Sequence, residues 1–579
     1  MVASAYRPIT ISSYIGKLLE KVIEKRIKIH CEIEGILDEE QEGFRSKRNT
    51  SRYLYKLIAT LDECKKKKLT TFLLCIDFSK AFDSIWIKGL IVKLCRYQLQ
   101  GKLLKTINNF LLSRQVRLKV DRELGQRRSC GWFGLPQGSV LAPLLFILYI
   151  ADLLKRDQLP TVCNTYSSLF KYADDGTIAV SHQNPLYAHG IMLQMCKYLH
   201  IWCSKWKLIP NCDKNKTECL IIQPSSSLLH TTNFQPLKIG DKGIMYASSS
   251  RVLGLTIDDN LSFQDHARSK LKQCWFAWHR ITRKCTRIRG LNCSSLSMLF
   301  KTVVLTKLLY AAPIWLKHNL PIYKDFYARV LLKISGATHH PPKELTSVAL
   351  NIPPLEISYQ MITTKFIIKA LTSDHHMQGL VLQLEEAKAH RYYEHIDLIR
   401  KFLSWKTGES RLNRSRIDLL EGVQKSIISY SREEISQFLE YTWNEHLQMS
   451  RASTDLPPDT KLLGIENRSK KLFPRHSRRS TDTKVMSLLH GHDLCFNAFN
   501  ATVTGNCDPN CTNCSSPDDN FHRILSCTLY NCSYRDALHH HFIRDSSSWP
   551  ILRDGSGEDI LAFRCLAQLA ITDSDLTCR

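Results

Sequence analysis

The sequence predicts an α+β fold that extends over several domains. Residues 1 to about 265 alternate segments of helical periodicity with short runs of β-forming residues, which indicates an α/β or α+β core. From about residue 266 the pattern becomes helical and basic. The 579 residues exceed what one hydrophobic core usually holds, and the 44% hydrophobic content is enough for more than one core.

Changes of pattern and composition divide the chain into five segments. The mixed segment covers residues 1–265, and a helical segment covers 266–345. Residues 346–480 are predicted as a helical connector that ends in a basic linker, because a pair of prolines and a basic run interrupt the periodicity. A segment rich in Cys and His covers 481–545, and a C-terminal tail covers 546–579.

Three elements of the mixed segment can be located from the pattern. Thr70 to Ile76 is predicted as a buried strand, and the residues from Phe78 onward as a helix. A buried helix is expected after Gly138, because the run that follows is apolar almost all round. Leu169 to Val180 is predicted as two short strands around a turn at Asp175-Gly176.

The charge balance of the chain is strongly basic, with 80 Lys and Arg against 54 acids and a formal net charge of +26. This surplus predicts a polyanionic partner, because each phosphate contact releases condensed counterions. The longest apolar run, Leu141 to Ile150, is far shorter than the roughly 18 residues of a spanning helix, so no membrane association is expected. Met1 to Thr10 lacks the pattern of a secretory signal. We therefore expect a protein of the cytoplasm and nucleus whose 21 cysteines are mostly reduced.

Two short acidic motifs stand at the ends of predicted strands. They are Asp77-Phe78-Ser79-Lys80-Ala81-Phe82-Asp83 and Tyr172-Ala173-Asp174-Asp175. Adjacent carboxylates at a turn repel each other, and a divalent cation removes that conflict. Because Mg²⁺ prefers a few carboxylates with waters and substrate phosphates, Asp77, Asp174 and Asp175 suit a two-metal phosphoryl-transfer site. A single aspartate is more often a turn former or helix cap, and that interpretation is retained for Asp83.

An ordered series of further motifs surrounds these acids. The series is Tyr6-Arg7-Pro8-Ile9-Thr10 with Lys17-Leu18-Leu19-Glu20-Lys21, Gln41-Glu42-Gly43-Phe44-Arg45 with Asn49-Thr50, the two acidic motifs, Leu135 to Leu144, Trp206-Lys207-Leu208 with Asn211 and Lys214, and Val252-Leu253-Gly254-Leu255. With these motifs in this order, residues 6 to about 330 resemble the reverse transcriptases of non-LTR retrotransposons, in particular the jockey-like group.

The resemblance implies a right-hand polymerase fold of the reverse transcriptase type. Fingers and palm would lie in residues 1–265, and a helical thumb in residues 266–345. The implied activity is that of an RNA-directed DNA polymerase. It would extend the 3′-hydroxyl of a DNA primer on an RNA template, with dNTPs as substrates.

Site residues follow from the resemblance where this sequence matches the motifs. Two Mg²⁺ ions would be held by the three aspartates, Asp77, Asp174 and Asp175. Phe82 occupies the aromatic position expected under the sugar, where a ring crowds a ribose 2′-hydroxyl, although without the resemblance it is simply a core residue of a helix. Gln137 and Gly138 are expected at the incoming nucleotide, and the glycine allows close approach of the backbone.

Basic residues of the motifs are candidates for contacts to the triphosphate. Arg7 and Arg45 are such candidates because a guanidinium can donate two hydrogen bonds to a phosphate, although a solvated surface arginine would give the same pattern. Lys214 aligns with a lysine suggested to protonate the leaving pyrophosphate. The local spacing is two residues longer than the common one, so Lys216 is an alternative.

The segment from Lys270 to Arg289 interleaves basic residues with Trp275 and Trp278. In similar enzymes this is the thumb, which binds the template–primer backbone, and the mixture suits phosphate contact with stacking. The basic residues expected to bind nucleic acid are Arg280, Arg283, Lys284, Arg287 and Arg289. The alternative is a helix with an apolar stripe and a solvated face. Lys65 to Lys68 is interpreted as a solvated loop.

A late cluster, Cys511, Cys514, His522 and Cys527, has the Cys₃His composition that binds Zn²⁺ tetrahedrally. Cys507 and Cys532 flank it, so the ligand set is not unique, and chance proximity in a cysteine-rich segment would give the same pattern. Similar elements often carry such a segment. A small zinc-organised module that binds nucleic acid is therefore expected.

Complete elements of this group carry an endonuclease before the polymerase, whereas this sequence starts close to its first polymerase motif. We therefore expect a truncated copy. Two alternatives stay open: a catalytically weak or domesticated nucleic-acid-binding remnant of such an element, and a group II intron maturase or other host reverse transcriptase. The intact aspartates, Phe82 and Gln137 favour the polymerase. The sequence sets no oligomeric state.

Overall fold

The computed structural model describes most of the chain between residues 9 and 452. The gaps in this range are 47, 121–122, 155–164, 214–215, 225–233, 286–290, 337–345, 348, 374–392 and 408–431, and the described residues beyond 452 are 510, 542–544 and 550–552. The chain divides into two compact units, the first ending at His266 and the second beginning at Ala267.

The first unit mixes helices and strands. In chain order its elements are α1 (Tyr14–Ile33), α2 (Thr50–Lys66), β1 (Thr70–Ile76), α3 (Ile87–Arg96), α4 (Gly101–Leu112), β2 (Gln115–Val116), β3 (Lys119–Val120), β4 (Glu123–Leu124), β5 (Arg128–Ser129), α5 (Ala142–Tyr149), β6 (Tyr166–Tyr172), β7 (Asp175–His182), α6 (Pro185–Trp206), β8 (Glu218–Ile222), β9 (Lys238–Ile239), β10 (Lys242–Gly243), β11 (Met245–Ala247), β12 (Ser249–Val252) and β13 (Leu255–Asp258).

The described part of the second unit is helical apart from one short strand pair. It begins with α7 (Gln264–Cys285), which starts in the first unit, and continues with α8 (Cys293–Leu299), a π-helical turn (Phe300–Leu305), α9 (Thr306–Leu308), α10 (Ala312–Trp315), a 3₁₀ segment (Lys317–Tyr323), α11 (Lys324–Ser335), α12 (Leu355–Ser373), α13 (Tyr393–Thr407), α14 (Arg432–Ala452), β14 (Phe542–Arg544) and β15 (Pro550–Leu552).

A five-stranded sheet, in the order β11-β8-β1-β7-β6, organises the first unit. The central strand β1 pairs antiparallel with β7 and β8, and all seven of its residues are buried. Helices cover both faces. The Phe72 ring lies 5.6 Å from that of His189 in α6, whereas Thr177, opposite Cys75, accepts a 2.7 Å hydrogen bond from Tyr53 of α2. Because successive side chains of a strand point to opposite faces, a strand covered on both sides is apolar throughout.

The predicted strand Thr70 to Ile76 is confirmed, and the predicted buried helix after Gly138 is α5. The helix expected from Phe78 onward is wrong, because the next helix begins at Ile87. Between them Phe78 bridges to Pro210, and the backbone at Lys80 has φ +47°, a left-handed value that an α-helix does not contain.

The hairpin of β6 and β7 is present, but its turn is not at Asp175-Gly176 as expected. Tyr172 pairs with Asp175, so the turn consists of Ala173 and Asp174. Ala173 takes the left-handed conformation, with φ +54°. The Asp175-Gly176 pair, although typical of turns, does not form the turn here, because Gly176 belongs to β7 and pairs with Ile76 of β1.

Helices of the second unit pack around buried aromatic residues. Tyr323 is fully buried and donates a 2.7 Å hydrogen bond to the Ala267 carbonyl at the start of the unit. Further along, Phe402 of α13 meets Phe438 of α14 edge to face, with ring centroids 5.0 Å apart. Among the helices of the described residues, none is both long and apolar enough to cross a membrane.

Candidate active site

The predicted acidic residues come together where β1 and β7 pair. Asp77 directly follows Ile76, the last residue of β1, which lies opposite Gly176. Asp175 is the first residue of β7, and Asp174 lies in the turn before it. Paired strands lie roughly 4.8 Å apart, so the backbone positions of the three aspartates meet at one end of the sheet.

The carboxylates of this acidic end influence one another. Burial, and after it the charges of Asp174 and Asp77, raises the pKa of Asp175 to about 6, whereas the ammonium group of Lys216 acts in the opposite direction. Like charges in a partly desolvated site have this effect because each disfavours the ionised form of its neighbour. A divalent cation between them would offset the repulsion between the carboxylates.

Asp77 is held by the loop that precedes β8. Its N–H donates to the Thr217 hydroxyl at 3.2 Å, and its carbonyl accepts from the Asn211 N–H at 2.8 Å. Its carboxylate Oδ2 accepts from the Asn211 amide at 3.2 Å and lies 3.4 Å from the Nζ of Lys216. Lys216 therefore stands at the acidic end of the sheet. Lys214 lies outside the described residues, and the roles of both lysines stay predictions.

The turn that carries Asp174 is fixed by a segment far back in the chain. The side-chain oxygen of Gln41 accepts hydrogen bonds from the N–H groups of Ala173, at 3.1 Å, and Gly43, at 2.9 Å. Gly43 lies directly on the turn, since a Cβ placed there would be 2.3 Å from the Ala173 nitrogen. No side chain fits in that space. The left-handed conformation of Ala173 is thus held from outside the hairpin.

Phe82, Gln137 and Gly138 lie in two loops joined by the 2.8 Å hydrogen bond from the Leu135 N–H to the Phe82 carbonyl. The half-buried Phe82 ring stacks on Phe146 of α5, with centroids 4.7 Å apart, and is not part of a helix. The amide of Gln137 donates to Asp83 Oδ1 at 2.9 Å, so Asp83 does more than form a turn. Gly138 has φ +105°, and a Cβ on it would be 2.7 Å from the Thr10 carbonyl oxygen.

Glu20 of α1 organises the loop after Gly138. Its buried carboxylate accepts from the Ser139 hydroxyl at 2.5 Å and from the N–H groups of Val140 at 2.7 Å and Leu141 at 3.3 Å. An anion is favoured there because the first N–H groups of a helix, here α5, have no partners within the helix. Glu20, Gln41 and Asn211 belong to motifs that were recognised in the sequence. The motifs do not show which backbone atoms these side chains bind.

The arginines predicted to contact phosphate are described only in part. The guanidinium of Arg45 donates to the Asp38 carbonyl at 2.8 Å and lies 3.6 Å from a Glu32 carboxylate oxygen, and its side chain is 7% exposed. Arg45 thus has protein partners in this structure. Arg7 lies outside the described residues. The phosphate contacts of both stay predictions.

The chemistry of the donors at the acidic end suits Mg²⁺, a hard cation that prefers carboxylate oxygen. Burial is the largest cause of the raised pKa of Asp175, and the charges of Asp174 and Asp77, which a bound cation would offset, add to it. Within the part of the chain that is described, however, no three Cys, His, Asp or Glu side chains are grouped closely enough to hold a metal as they stand. The Oδ2 atom of Asp77 faces Asn211 and Lys216.

The predicted zinc ligands Cys511, Cys514, His522 and Cys527 lie outside the described residues.

The basic helix α7 belongs largely to the second unit. Arg280 and Arg283 are exposed, and the Arg280 guanidinium lies 5.7 Å from the Phe276 ring. Trp278 is buried against Phe300, with centroids 5.9 Å apart, so the expectation that it stacks on nucleic acid is wrong. Trp278 therefore belongs to the apolar stripe of the alternative interpretation of this helix. For the remaining basic residues of the prediction, the side chain of Lys284 is not described, and Arg287 and Arg289 lie outside the described residues.

Part of this chain is similar to known proteins. Residues 3–257 match the family "Reverse transcriptase (RNA-dependent DNA polymerase)". The "RNA-directed DNA polymerase from mobile element jockey" of Drosophila funebris is 24% identical over 370 residues, which cover 62% of this chain and 39% of that protein. The protein of the same name from Drosophila melanogaster is 23% identical over 369 residues, covering 63% and 39%.

Among solved structures, an apo telomerase from Candida tropicalis aligns at 10% identity over 54% of this chain and 51% of that chain, with a TM-score of 0.32, too low to establish a shared fold. The predicted resemblance to the polymerases of non-LTR retrotransposons is confirmed. This chain spans well under half the length of the two jockey relatives, 39% of each.

Proposed function

We propose that this chain is an RNA-directed DNA polymerase of a non-LTR retrotransposon. It extends the 3′-hydroxyl of a DNA primer with dNTPs, on an RNA template. The observation that carries the proposal is the meeting of Asp77, Asp174 and Asp175 at one end of the sheet, inside a reverse transcriptase domain. The pKa of Asp175, raised first by burial and then by the charges of Asp174 and Asp77, supports a site built to receive cations.

Asp77, Asp174 and Asp175 are the residues that would hold two Mg²⁺ ions. When bound, the ions would supply Lewis-acid activation of the primer hydroxyl and neutralise charge on the pyrophosphate. The protein's own contribution is position. Asn211 and Thr217 fix the backbone of Asp77, and Gln41 fixes the turn of Asp174, so the carboxylates need little reorganisation during the reaction. Lys216 is our candidate for giving a proton to the pyrophosphate.

Nucleotide selection is proposed for the loops beside the acidic end, the palm region of the right-hand fold. Phe82 is immobilised by stacking on Phe146, and a fixed ring under the sugar leaves no room for a 2′-hydroxyl. Gln137 is oriented by Asp83, and its loop by Glu20 and Thr10. The exposed Arg280 and Arg283 of α7 are proposed to bind the phosphates of the template–primer as part of a thumb.

The test is primer extension on an RNA template with Mg²⁺, comparing the parent with Asp77→Asn and Asp174→Asn. We expect each substitution to reduce the rate at least a hundredfold, about 2.7 kcal/mol in the barrier, while template–primer binding is retained. Asp241→Asn, in the exposed turn between β9 and β10, is the matched control and should keep the parent rate. Extension at more than a hundredth of the parent rate by the Asp77 or Asp174 variants would show that these carboxylates do not serve the reaction.

A further inference from the structure

Two large aromatic side chains are exposed beside the loop that carries Gln137. Trp132 is 52% exposed and Phe133 is 48% exposed. Side chains of this size are usually largely buried, and contiguous exposed ones mark binding surfaces. Both lie within the first unit, so their exposure is a property of the reverse transcriptase domain itself.

Lysines accompany these rings. The Nζ of Lys88 lies 4.1 Å from the centroid of the Trp132 ring. The Nζ of Lys207 lies 4.4 Å from the centroid of Trp86 and 6.0 Å from that of Phe133. Exposed aromatic rings with a cation over one face suit a single nucleic-acid strand, because a base can stack on a ring while a phosphate meets the positive charge.

The backbone fixes this surface to the proposed nucleotide site. The Ile87 N–H donates to the Trp132 carbonyl at 3.0 Å, and Phe133 bridges to Trp86. Two residues further on, the Leu135 N–H donates to the Phe82 carbonyl at 2.8 Å. The exposed rings therefore belong to the same bonded framework as Phe82.

The hairpin that leads into this surface is also basic. Strands β2 to β5 form a ribbon whose residues in these strands are all exposed, and the N–H of Cys130, at its base, donates to the Arg114 carbonyl at 2.9 Å. Its described exposed cations are Arg117, Lys119, Arg127 and Arg128, against the one described acid Glu123. A positive ribbon next to aromatic faces favours a polyanionic strand over an apolar partner.

We propose that Trp132 and Phe133, with Lys88 and Lys207, form a stacking surface for unpaired nucleotides of the RNA template. The proposal rests on the proposed polymerase function. In a duplex the bases are already stacked on each other, so exposed rings can receive only unpaired ones. Because the primer is paired up to its 3′ end, the unpaired bases near the nucleotide site are those of the template that has not yet been copied.

The test compares binding of two probes by the full chain in EDTA, so that no catalysis is needed. One probe is a primer–template with an unpaired 5′ RNA overhang of about ten nucleotides, a length typical of single-strand sites. The other is the same duplex with a blunt end. The variant is Trp132→Ala with Phe133→Ala. The expected result is a Kd at least tenfold higher for the overhang probe, about 1.4 kcal/mol, and an unchanged Kd for the blunt probe, because only the overhang has unpaired bases that can stack on the two rings.

The matched control is Tyr166→Ala. Tyr166 is also 48% exposed and also has a lysine over its ring, Lys67 at 4.8 Å. It lies at the first residue of β6, the far end of that strand from Asp174, and its removal should leave both Kd values unchanged. Thermal unfolding of each variant verifies that these exposed substitutions keep the fold.

Three results would overturn the inference. They are an unchanged Kd for the overhang probe, an equal loss for both probes, and an equal loss in the Tyr166 variant. Failure of the proposed function has a different signature, since the parent chain would then not extend a primer on RNA whatever these binding constants are.

Discussion

The turn that carries Asp174 and the exposed Arg280 side chain of α7 have different surroundings. The turn is fixed by Gln41 and Gly43, and the hydrogen bond from Ala173 to Gln41 joins residues 132 positions apart. Arg280 of α7, in contrast, lies near Phe276, one turn earlier in the same helix.

The difference follows from the chemistry proposed for each region. Transfer of a phosphoryl group tolerates little displacement of the groups that align it, and a shift of about 1 Å can cost a hundredfold in rate. Binding to a phosphate backbone depends mainly on the number of charges, because a mobile lysine or arginine can reach a phosphate from many positions. Substitutions of the residues that support the acidic end, such as Gln41 and Gly43, should therefore change the rate of primer extension. Substitutions in α7 should change the affinity for the template–primer and the salt dependence of that affinity.

The largest effect is expected for Gly43→Ala. The added Cβ would lie 2.3 Å from the Ala173 nitrogen, so the turn must move and Asp174 with it. We expect the primer-extension rate to fall by about a hundredfold, and thermal unfolding to report a loss of roughly 1–3 kcal/mol. Gly190→Ala is the matched control, because nothing lies within 4 Å of a Cβ there and the residue is within α6. It should keep the parent rate and gain up to about 1 kcal/mol. A parent-like rate in Gly43→Ala would mean that the turn does not need this support.

A smaller effect, on selectivity, is expected for Phe82→Ala. Removal of the ring opens space under the sugar, so the ratio of dNTP to rNTP incorporation should fall by about tenfold or more. Phe82→Leu keeps much of the bulk and should retain most of the selectivity. Steady-state incorporation of the two nucleotide types opposite the same template base gives the ratio directly. If both variants keep the parent ratio, the contact of Phe82 with Phe146 is only packing.

The smallest effect is expected for Arg280→Gln combined with Arg283→Gln. Loss of two phosphate contacts should weaken template–primer binding and reduce the slope of log K against log salt by up to about 2. Lys66→Gln combined with Lys68→Gln removes the same charge from the last residue of α2 and the turn after it, and should leave the slope unchanged. Titrations at several salt concentrations measure both variants. Equal slopes in the two double variants would remove the reason to treat α7 as a binding surface.

Some functional residues could be predicted from the sequence because their residue type and local pattern reveal them. The strand Thr70 to Ile76 and the position of Asp77 at its end follow from an apolar run that stops at an acid. The approach of Asp77 to Asp175 could not be derived from pattern alone, because it depends on the register between β1 and β7. It followed instead from the order of motifs.

The roles of residues that form long-range hydrogen bonds could not be predicted from the sequence. Gln41 and Glu20 were recognised as parts of motifs, but the atoms they bind belong to residues 132 and about 120 positions away along the chain. The helix expected from Phe78 failed for a related reason. Local composition allows a helix there, but the pairing of Phe78 with Pro210 and the left-handed Lys80 prevent it. Trp278 was misassigned because spacing along a helix does not say which face is covered.

The central claim is that the acidic end of this sheet copies RNA into DNA, and extension of a DNA primer on an RNA template of known sequence tests it most directly. With the unmodified chain, dNTPs and Mg²⁺, we predict a product whose sequence is complementary to the RNA, and no product when EDTA removes the metal. Salt-dependent binding of the template–primer without any extension in Mg²⁺ would contradict the claim, and would identify the chain as a nucleic-acid-binding remnant of a reverse transcriptase.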